Sequence, residues 1–357
     1  MRIGIDASRA FGDQKTGTES YSFELITHLL ELPEAKKHTW ILYTHNSPRL
    51  RHPSFKLREE TGVSYKEIKL SFLWTQVGLA YQTWIDRLDV LWIPAHTLPI
   101  LRKPSIKTVV TIHGLEYEWL PAYENWLQRW YLPLSTQYAV GSANRIIAVS
   151  KFTRDQLIER LGADSKKINV IYEGINFTEP KRSTKTGERY ILFIGTVQPR
   201  KNLVRLIEAF CKLKIENCKL VICGKLGWNY QEVLEAAKNK NVEITGFVSN
   251  EKRNQLLKGA LAYVQPSITE GFGLPVLEAM HAGVPVVSSM GGALAEIVGD
   301  AGLLFDPFNV EDIAKKILII IRNHSLRLVL IKKGHQRIQE FSWEKAARET
   351  YKILTNL

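Results

Sequence analysis

The feature that most constrains this chain is a series of short apolar segments, each followed by a loop and an amphipathic segment, that occurs twice. The first series begins with "MRIGIDAS" and continues through "TWILYTH", "DVLWIP", "TVVTIH", "RIIAVS" and "INVIYEG". Its first helical segment, "TGTESYSFELITHLLEL", carries Phe23, Ile26 and Leu30 near helical spacing. Strands that alternate with helices indicate a parallel sheet covered on both faces.

A polar segment, "FTEPKRSTKTGER", separates the two series and is typical of an interdomain linker. The pattern then restarts with "YILFIG", "KLVICG", "VEITGF" and "LAYVQPS". A length of 357 residues suits two domains. We therefore predict an α/β protein with an N-terminal domain at 1–178, a linker at 179–189 and a C-terminal domain at 190–340. Both domains should be doubly wound and Rossmann-like, facing each other across a cleft. A final helix at 341–357, with Ser342 as N-cap, should pack back on the N-terminal domain.

Composition narrows the class of protein. Hydrophobic residues make up 45% and charged residues 24% of the chain, as in soluble globular proteins. There is no apolar run of 18 or more residues, and the first segment lacks a long apolar core, so we expect neither a membrane-spanning helix nor a signal peptide. Three cysteines without metal-ligand spacing suit the reducing cytoplasm.

The net charge of +12 is spread over the chain. Residues 1–178 carry 22 Lys and Arg against 18 Asp and Glu, and the remainder carries 26 against 18. A nucleic-acid-binding protein would concentrate this charge on one stripe, so we expect no nucleic-acid partner. A solvated basic surface, anionic substrates and contact with an anionic membrane at its cytoplasmic face remain open. The basic segment "RLRHPSFKLR" keeps the membrane alternative open.

Two cations follow the first strand of the second series. In "FIGTVQPRKNLVRLIEAF", the strand ends at Gly195, and the loop carries Arg200 and Lys201. Asn202 is a predicted N-cap for the next helix. Cations at a strand's carboxyl end, beside a helix N-terminus, form a site that a diphosphate would suit. The alternative is a solvated pair of loop cations.

Two glutamates occur in the apolar segment "SITEGFGLPVLEAMHAGVPVV". Pro275 suits the first turn of a helix, and Gly271 and Gly273 allow the backbone to approach a ligand closely. Glu270 would lie at the mouth of the cleft. Glu278, one turn into the helix, could accept two hydrogen bonds from a vicinal diol such as ribose. The alternative is structural, with Glu270 as a helix cap and Glu278 in a salt bridge.

These residues resemble a known family. "EGFGLPVLE" is similar to the E-x7-E signature of the retaining GT-B glycosyltransferases of family four. The resemblance extends through "GTVQPRKN", "EAMHAGVPVVSS" and "GGALAEIVGDAGLLFDP", from about Tyr190 to Pro307. It continues more loosely in "TGTESYSFELI", "TIHGLEYEWLP" and "IIAVSKFTRDQL".

The resemblance implies a nucleotide sugar bound chiefly by the C-terminal domain. Arg200 and Lys201 would hold the diphosphate, Glu270 the hexose and Glu278 the ribose. The implied catalytic residues are Glu270, His113, Arg200 and Lys201. The implied donor-binding residues are Arg200, Lys201, Gly224, Lys225, Phe247, Val248, Glu270, Gly271, Phe272, Gly273, Leu274 and Glu278. A glycine-rich first loop, facing diphosphate and acceptor, would comprise Thr16, Gly17 and Thr18.

The chain departs from the family pattern at a histidine. Many members have His-Asp where this chain has His113-Gly114. Glu116 or Glu118 is a candidate for the missing carboxylate. We interpret the nearby His96 as a buried core histidine, with acceptor contact as the alternative.

A second departure concerns the phosphate site, because many members have Gly-Arg where this chain has Gly195-Thr196. Arg200 would then supply the second cation. The resemblance implies same-face attack by the acceptor, with the leaving phosphate accepting its proton. We therefore do not expect Glu270 to act as the nucleophile that retaining glycosidases use.

The expected reaction moves a hexose from a nucleotide-diphosphate sugar to a hydroxyl of a glycan or lipid-linked acceptor. The segments "PRKN" and "GKLGWNYQEV" resemble users of GDP-mannose, which is the favoured donor over UDP-sugars. We expect no cofactor and, since no Asp-x-Asp motif occurs, no metal. The alternatives are a non-catalytic nucleotide-sugar-binding protein, a UDP-sugar-dependent transferase and an epimerase of the same fold.

Overall fold

A computed structural model describes residues 1–11, 17–45, 62–70, 73–115, 126–176 and 189–357. Its contacts divide the chain into two compact units. The N-terminal unit comprises Met1–Gly174 together with Ser342–Leu357, and the C-terminal unit comprises Ile175–Phe341. The chain therefore returns to its first unit for its last helix.

The N-terminal unit is built on a seven-stranded parallel sheet. Its strands are β1 (Arg2–Asp6), β2 (Thr39–Thr44), β3 (Val63–Glu67), β4 (Val90–Ile93), β5 (Lys107–Ile112), β6 (Arg145–Ala148) and β7 (Ile168–Val170). The spatial order is β3-β2-β1-β4-β5-β6-β7. Strands such as β4 are buried along their whole length, as expected for a parallel sheet covered on both faces.

The described helices of this unit are α1 (Gly17–Glu31), α2 (Ala80–Ile85), α3 (Trp126–Ser142), α4 (Lys151–Leu161) and α12 (Trp343–Thr355). A π-helical turn, Trp74–Leu79, leads into α2. The Ser342 side chain accepts a hydrogen bond from the backbone N–H of Lys345 at 3.4 Å, which confirms the predicted cap of α12. Helix α12 packs on α1, and the rings of Trp343 and Tyr21 lie 5.8 Å apart.

The C-terminal unit contains a six-stranded parallel sheet. Its strands are β8 (Arg189–Ile194), β9 (Cys218–Cys223), β10 (Val242–Gly246), β11 (Ala262–Gln265), β12 (Val286–Ser289) and β13 (Gly302–Phe305). Its described helices are α5 (Leu203–Lys212), α6 (Gln231–Ala237), α7 (Asn250–Gly259), α8 (Leu274–His281), α9 (Leu294–Val298), α10 (Val310–Arg322) and α11 (His324–Arg337). The apolar face of α5 is buried in the core, with Leu203, Leu206, Ile207 and Phe210 at most 5% exposed.

Both sheets have the strand order of a Rossmann-like fold. In the C-terminal unit the order is β10-β9-β8-β11-β12-β13, so the chain reverses direction across the sheet between β8 and β11. The same reversal lies between β1 and β4 in the N-terminal unit. Ligands of open α/β sheets bind beyond the carboxyl ends of the strands at such a switch point. Within the described residues, no helix is both long enough and apolar enough to cross a bilayer.

Candidate active site

The loop that carries the two predicted cations follows β8 at the switch point of the C-terminal sheet. It ends in a 3-10 turn, Pro199–Lys201, directly before α5. Asn202 has φ 58° and ψ 33°, and its side chain does not cap α5, so that prediction is wrong. A capping side chain requires an extended backbone, and this residue is left-handed. The Asn202 amide instead donates to the carbonyl oxygens of Pro266 at 3.0 Å and Pro307 at 2.7 Å.

Glu270 lies in the loop after β11, and its carboxylate contacts both cations. Its Oε2 accepts a hydrogen bond from Arg200 Nη1 at 2.7 Å, and its Oε1 accepts one from Lys201 Nζ. Arg200 Nη1 also donates to the carbonyl oxygen of Thr269 at 2.6 Å. The exposed fractions of the three charged side chains are 7% for Arg200, 13% for Lys201 and 9% for Glu270. We call these three residues the switch-point cluster.

The charge state of Glu270 follows from these contacts. Burial alone would raise the pKa of Glu270, but the positive charges of Lys201 and Arg200 outweigh burial and hold the pKa at about 2. Glu270 is therefore a carboxylate at neutral pH. Two cations and one anion leave the switch-point cluster with a net charge of +1.

Two polar residues that the sequence analysis did not single out complete the environment of this carboxylate. Ser267 Oγ donates to Glu270 Oε1 at 2.6 Å, and Gln265 Nε2 donates to the same oxygen at 2.9 Å. The side-chain oxygen Oε1 of Gln265 accepts a hydrogen bond from the buried Tyr263 hydroxyl. Polar side chains at the end of the otherwise apolar "LAYVQPS" were the available signal, because a buried amide needs hydrogen-bond partners.

A glycine-containing turn after β12 packs against the backbone of Glu270. The N–H of Ala293 donates to the carbonyl oxygen of Glu270 at 2.9 Å. Gly292 has φ +65°, and a Cβ atom there would lie 2.4 Å from the Glu270 backbone nitrogen. Only glycine combines this conformation with this close approach.

Helix α8 begins directly after the glycine-rich turn. Gly273 has φ +117°, which allows the chain to enter the helix, and Pro275 lies in the first turn as predicted. Glu270 does not cap α8, because no side chain caps this helix. Phe272 is buried and packs edge-on against Phe341 with ring centroids 5.9 Å apart. Only its backbone can therefore serve the donor role that the resemblance implied.

Glu278 has a different environment. It forms an ion pair with Arg253 of α7, and the side chains are 34% and 26% exposed. Burial raises the pKa of Tyr263, and the negative charges of Glu278 and Glu270 raise it further. Both glutamates are therefore close enough to Tyr263 for their charges to affect it.

The ends of β9 and β10 hold the remaining residues of the implied donor site. The N–H of Gly224 donates to the carbonyl oxygen of Gly246 at 3.0 Å, which aligns the two strand ends. Lys225 is exposed and Val248 is half-buried. Phe247 is 77% exposed, which is unusual for an aromatic side chain at a strand end.

In the N-terminal unit, His113 follows β5, and both of its ring nitrogens face oxygen atoms. Nε2 lies 3.1 Å from the carbonyl oxygen of Pro94, and Nδ1 lies 3.4 Å from Oε1 of Glu173. Glu173 is buried and follows β7. The candidates proposed for this carboxylate, Glu116 and Glu118, lie outside the described residues.

His96 stacks on His113, with ring centroids 5.9 Å apart and an interplanar angle of 21°. Its Nε2 accepts a hydrogen bond from the backbone N–H of His113 at 3.4 Å, so this nitrogen carries no proton. Burial lowers the pKa of His96 to about 3, with added repulsion from His113 and Arg9. His96 is therefore neutral. The ring of Tyr21 packs edge-on against His113 at 4.5 Å.

The implied first loop is described only in part. Thr16 lies outside the described residues, and Gly17 and Thr18 form the start of α1. The backbone carbonyl oxygen of Thr18 accepts a hydrogen bond from Ser22 Oγ at 2.9 Å. Tyr21, one turn further along α1, connects this helix to His113.

Comparison with known proteins shows the family to which this chain belongs. Residues 175–337 match the family described as glycosyl transferases group 1, and residues 16–179 match the family described as glycosyltransferase family 4. This chain belongs to glycosyltransferase family four. The chain is therefore an enzyme that transfers hexosyl groups.

Two curated proteins illustrate the relationship to this glycosyltransferase. O-antigen chain mannosyltransferase B of Escherichia coli is 29% identical over 95% of this chain and 96% of its own length. An uncharacterized glycosyltransferase of Methanocaldococcus jannaschii is 31% identical over 71% of this chain and 70% of its own length. Both relatives are named as enzymes that transfer sugars.

A solved structure shares the fold of this glycosyltransferase. The Anabaena protein HepE, crystallised with UDP-glucose, superposes with a TM-score of 0.73 at 16% identity, and the match covers all of both chains. The two Rossmann-like sheets of this chain are therefore those of a GT-B glycosyltransferase.

The fold of this glycosyltransferase brings together some residues that are far apart in the sequence and keeps others apart. Arg200, Lys201 and Glu270 form one buried cluster, whereas Glu278 pairs with Arg253 on a neighbouring helix. No group of three or more His, Cys, Asp or Glu side chains suited to a metal ion occurs among the residues that the structure describes.

Proposed function

We propose that this glycosyltransferase transfers a hexose from a nucleotide-diphosphate sugar to a hydroxyl of a glycan or lipid-linked glycan. Retention of the anomeric configuration, GDP-mannose as donor and independence of metal ions are parts of the proposal. The observation that carries it is the switch-point cluster, a buried group of two cations and one carboxylate beyond the ends of β8 and β11. This is where doubly wound sheets bind nucleotides.

The net charge of the cluster suits a diphosphate. A charge of +1 in a largely buried site attracts anions more strongly than the same charge in water. Negative charge grows on the diphosphate as its bond to the sugar breaks, and Arg200 and Lys201 stabilise that charge. Such stabilisation in the transition state raises turnover rather than ground-state binding alone.

Glu270 orients the cations and contacts the hexose, but it does not attack the sugar. Its two oxygens accept hydrogen bonds from Arg200, Lys201, Gln265 and Ser267, and a pKa of about 2 makes it a weak base and nucleophile. The acceptor hydroxyl attacks the anomeric carbon on the face that the diphosphate leaves. Its proton passes to the departing phosphate oxygen, so the reaction needs no protein nucleophile.

The nucleoside occupies the side of the sheet formed by α8 and the loop after β10. Glu278 is partly exposed and can accept hydrogen bonds from a ribose diol, while Arg253 continues to balance its charge. The exposed ring of Phe247 can stack on the base. Mannosyltransferase names among the relatives support GDP-mannose, and HepE with UDP-glucose makes UDP-sugars the alternative donors.

The N-terminal unit supplies the acceptor side and a membrane-facing surface. Three segments of this unit, α2, α3 and residues 100–101, carry large apolar side chains that are exposed. Trp84 is 56% exposed, Leu101 74% and Trp130 66%. Trp84 Nε1 donates to the carbonyl oxygen of Leu101 at 2.9 Å, which joins two of these segments. The sequence of α3 contains no Asp or Glu. Exposed Trp beside aliphatic residues suits the headgroup region of a bilayer.

The membrane contact is tested by co-sedimentation with vesicles of phosphatidylglycerol and of phosphatidylcholine. We expect binding to the anionic vesicles that weakens with salt and with Leu101→Glu, but not with Leu328→Glu, a matched exposed leucine on the C-terminal unit. Equal binding by both variants, or no binding to anionic vesicles at low salt, would refute the contact.

The transferase itself is tested in two stages. Thermal-shift screening with GDP-, UDP- and ADP-sugars identifies the nucleotide, because a ligand of the folded state raises the melting temperature. Transfer to candidate acceptors is then followed by mass spectrometry with and without EDTA, and NMR assigns the anomeric configuration of the product. We expect Lys201→Met to abolish transfer and Lys315→Met, an exposed lysine of α10, to leave it unchanged.

The alternatives give different outcomes in the same experiment. Binding of a nucleotide sugar without transfer or turnover would favour a non-catalytic binding protein. Conversion of the donor into a stereoisomer without an acceptor would favour an epimerase. An inverted product, or activity lost with EDTA and restored by a divalent metal, would overturn the corresponding part of the proposal.

A further inference from the structure

The carboxylate beside His113 comes from a distant part of the sequence. Glu173 lies 60 residues after His113, but β5 and β7 are separated in the sheet only by β6. Because all three strands are parallel, their carboxyl ends lie at the same edge, and the residues that follow β5 and β7 can meet. Glu173 is 5% exposed and therefore lies in a position where a carboxylate requires a partner.

We propose that Glu173 is the positioning residue that fixes the ring of His113, in place of the aspartate that is absent after His113 in this chain. This inference rests on the proposed transferase function and on the catalytic role that the family resemblance implies for His113. Glu173 acts through His113 and does not itself contact the substrate.

The hydrogen-bond geometry shows how the ring is held. The carbonyl oxygen of Pro94 can only accept, so the Nε2 atom of His113 must carry a proton to bond with it. Nδ1 then faces Glu173 Oε1, and one further proton between these two atoms completes the bond. His96 stacks on one side of the ring and Tyr21 packs against it edge-on, so rotation of the ring would disturb four neighbours.

Removing the carboxylate should release this ring without emptying the donor site. Lys201 and Glu270 lie in the other unit and keep their own contacts when Glu173 is changed. We therefore expect Glu173→Ala to lower kcat about tenfold or more, since a misplaced catalytic group costs rate. The KM for the donor should change by about threefold or less, because binding and turnover report different interactions.

Glu173→Gln separates orientation from charge. A glutamine amide can donate to Nδ1 while Nε2 donates to Pro94, so the neutral ring keeps both hydrogen bonds. If orientation is the role of Glu173, this variant should keep kcat within about threefold of the unsubstituted enzyme. Glu159→Ala and Glu159→Gln, at an exposed glutamate of α4, are the matched controls and should behave like the unsubstituted enzyme.

A second readout does not depend on activity. The side-chain 15N and 13C–1H NMR signals of His113, assigned by their loss in His113→Asn, report the ring environment in the folded protein. We expect these signals to shift in Glu173→Ala and to change less in Glu173→Gln. If the unsubstituted enzyme transfers no sugar, the proposed function fails, and the NMR comparison still decides whether Glu173 holds the ring.

Three results would overturn the inference. The first is a folded Glu173→Ala variant with unchanged kcat. The second is equal loss of kcat in the Ala and Gln variants, which would assign the effect to charge. The third is a His113 signal that is identical in Glu173→Ala and in the unsubstituted protein.

Discussion

The central prediction concerns Glu270→Gln, which removes the negative charge of the switch-point cluster but keeps the shape of the side chain. In the unsubstituted protein, two cations and one carboxylate give a net charge of +1. In the variant, the net charge is +2, and Arg200 and Lys201 remain largely buried without a counter-ion. Removing one partner of a buried ion pair is strongly destabilising, because the other charge is left uncompensated.

The magnitude follows from the pKa of Glu270, which is lowered from an ordinary value of 4.5 to about 2. A shift of this size corresponds to about 3 kcal/mol, since one pKa unit is worth about 1.4 kcal/mol. Because the folded-state pKa lies below the ordinary value, this stability is fully present above pH 4.5. It is lost as the pH falls through 4.5 toward 2, when Glu270 takes up a proton.

The measurement is amide hydrogen exchange in β11 and α8, which reports the local free energy of opening of the C-terminal unit. At pH 7, we expect Glu270→Gln to lower this free energy by about 3 kcal/mol. Urea unfolding of both proteins between pH 5 and pH 3 then gives the dependence on pH. The difference between their free energies of unfolding should shrink as the pH falls. Glu311→Gln, which breaks an exposed pair with Lys212, should cause no comparable loss.

Although Glu270→Gln should be less stable than the unsubstituted protein, it should bind nucleotides more tightly. The extra positive charge should make GDP or UDP bind more tightly to Glu270→Gln, measured by calorimetry, while turnover falls because the cations are misplaced. The reasoning is refuted if the variant is as stable as the unsubstituted protein at pH 7, or if its loss of stability is independent of pH.

Three further variants test the surroundings of the cluster. Glu278→Ala should weaken nucleotide binding about tenfold through loss of a charged hydrogen-bond acceptor, measured by calorimetry; unchanged affinity would remove Glu278 from the ribose site. Gly292→Ala should reduce both stability and transfer, because its Cβ would clash with the Glu270 backbone, whereas Gly299→Ala, also at positive φ, should reduce stability alone. Phe247→Ala should raise the donor KM about tenfold without changing the melting temperature, and Phe308→Ala, at another exposed phenylalanine, should change neither.

The central strands could be predicted because they are buried on both faces and read as continuous apolar runs. The segments "YILFIG" and "KLVICG" correspond to β8 and β9, and their restart after a polar segment indicated a second sheet. The short β12 and β13 were not assigned, since "VVSS" ends in two buried serines and "GLLF" begins with glycine. Edge strand β3, "VSYKE", was missed because it pairs on one side only and is half exposed.

The charged residues of the site were easier to predict than the contacts between them. Cations after β8 and glutamates after β11 were visible in the sequence, because functional side chains of parallel sheets follow the strands. That Lys201 pairs with Glu270 depends on two loops separated by 69 residues, and local sequence carries no record of that contact. Glu173 was missed for the same reason, since its partner His113 lies 60 residues away.

The two glutamates differ in how easily a ligand can displace their partners. Glu270 is buried and bound by four side-chain donors, so moving it would leave buried charges unpaired. Glu278 is held by one partly exposed arginine, and such a pair contributes about 0–1 kcal/mol. At the proposed ribose site, a diol can therefore replace part of the Glu278–Arg253 contact at little cost. The segment from Glu270 to Glu278 thus carries one fixed carboxylate in the loop before α8, which holds the cations in place, and one adjustable carboxylate within α8, which is free to respond to a bound nucleotide.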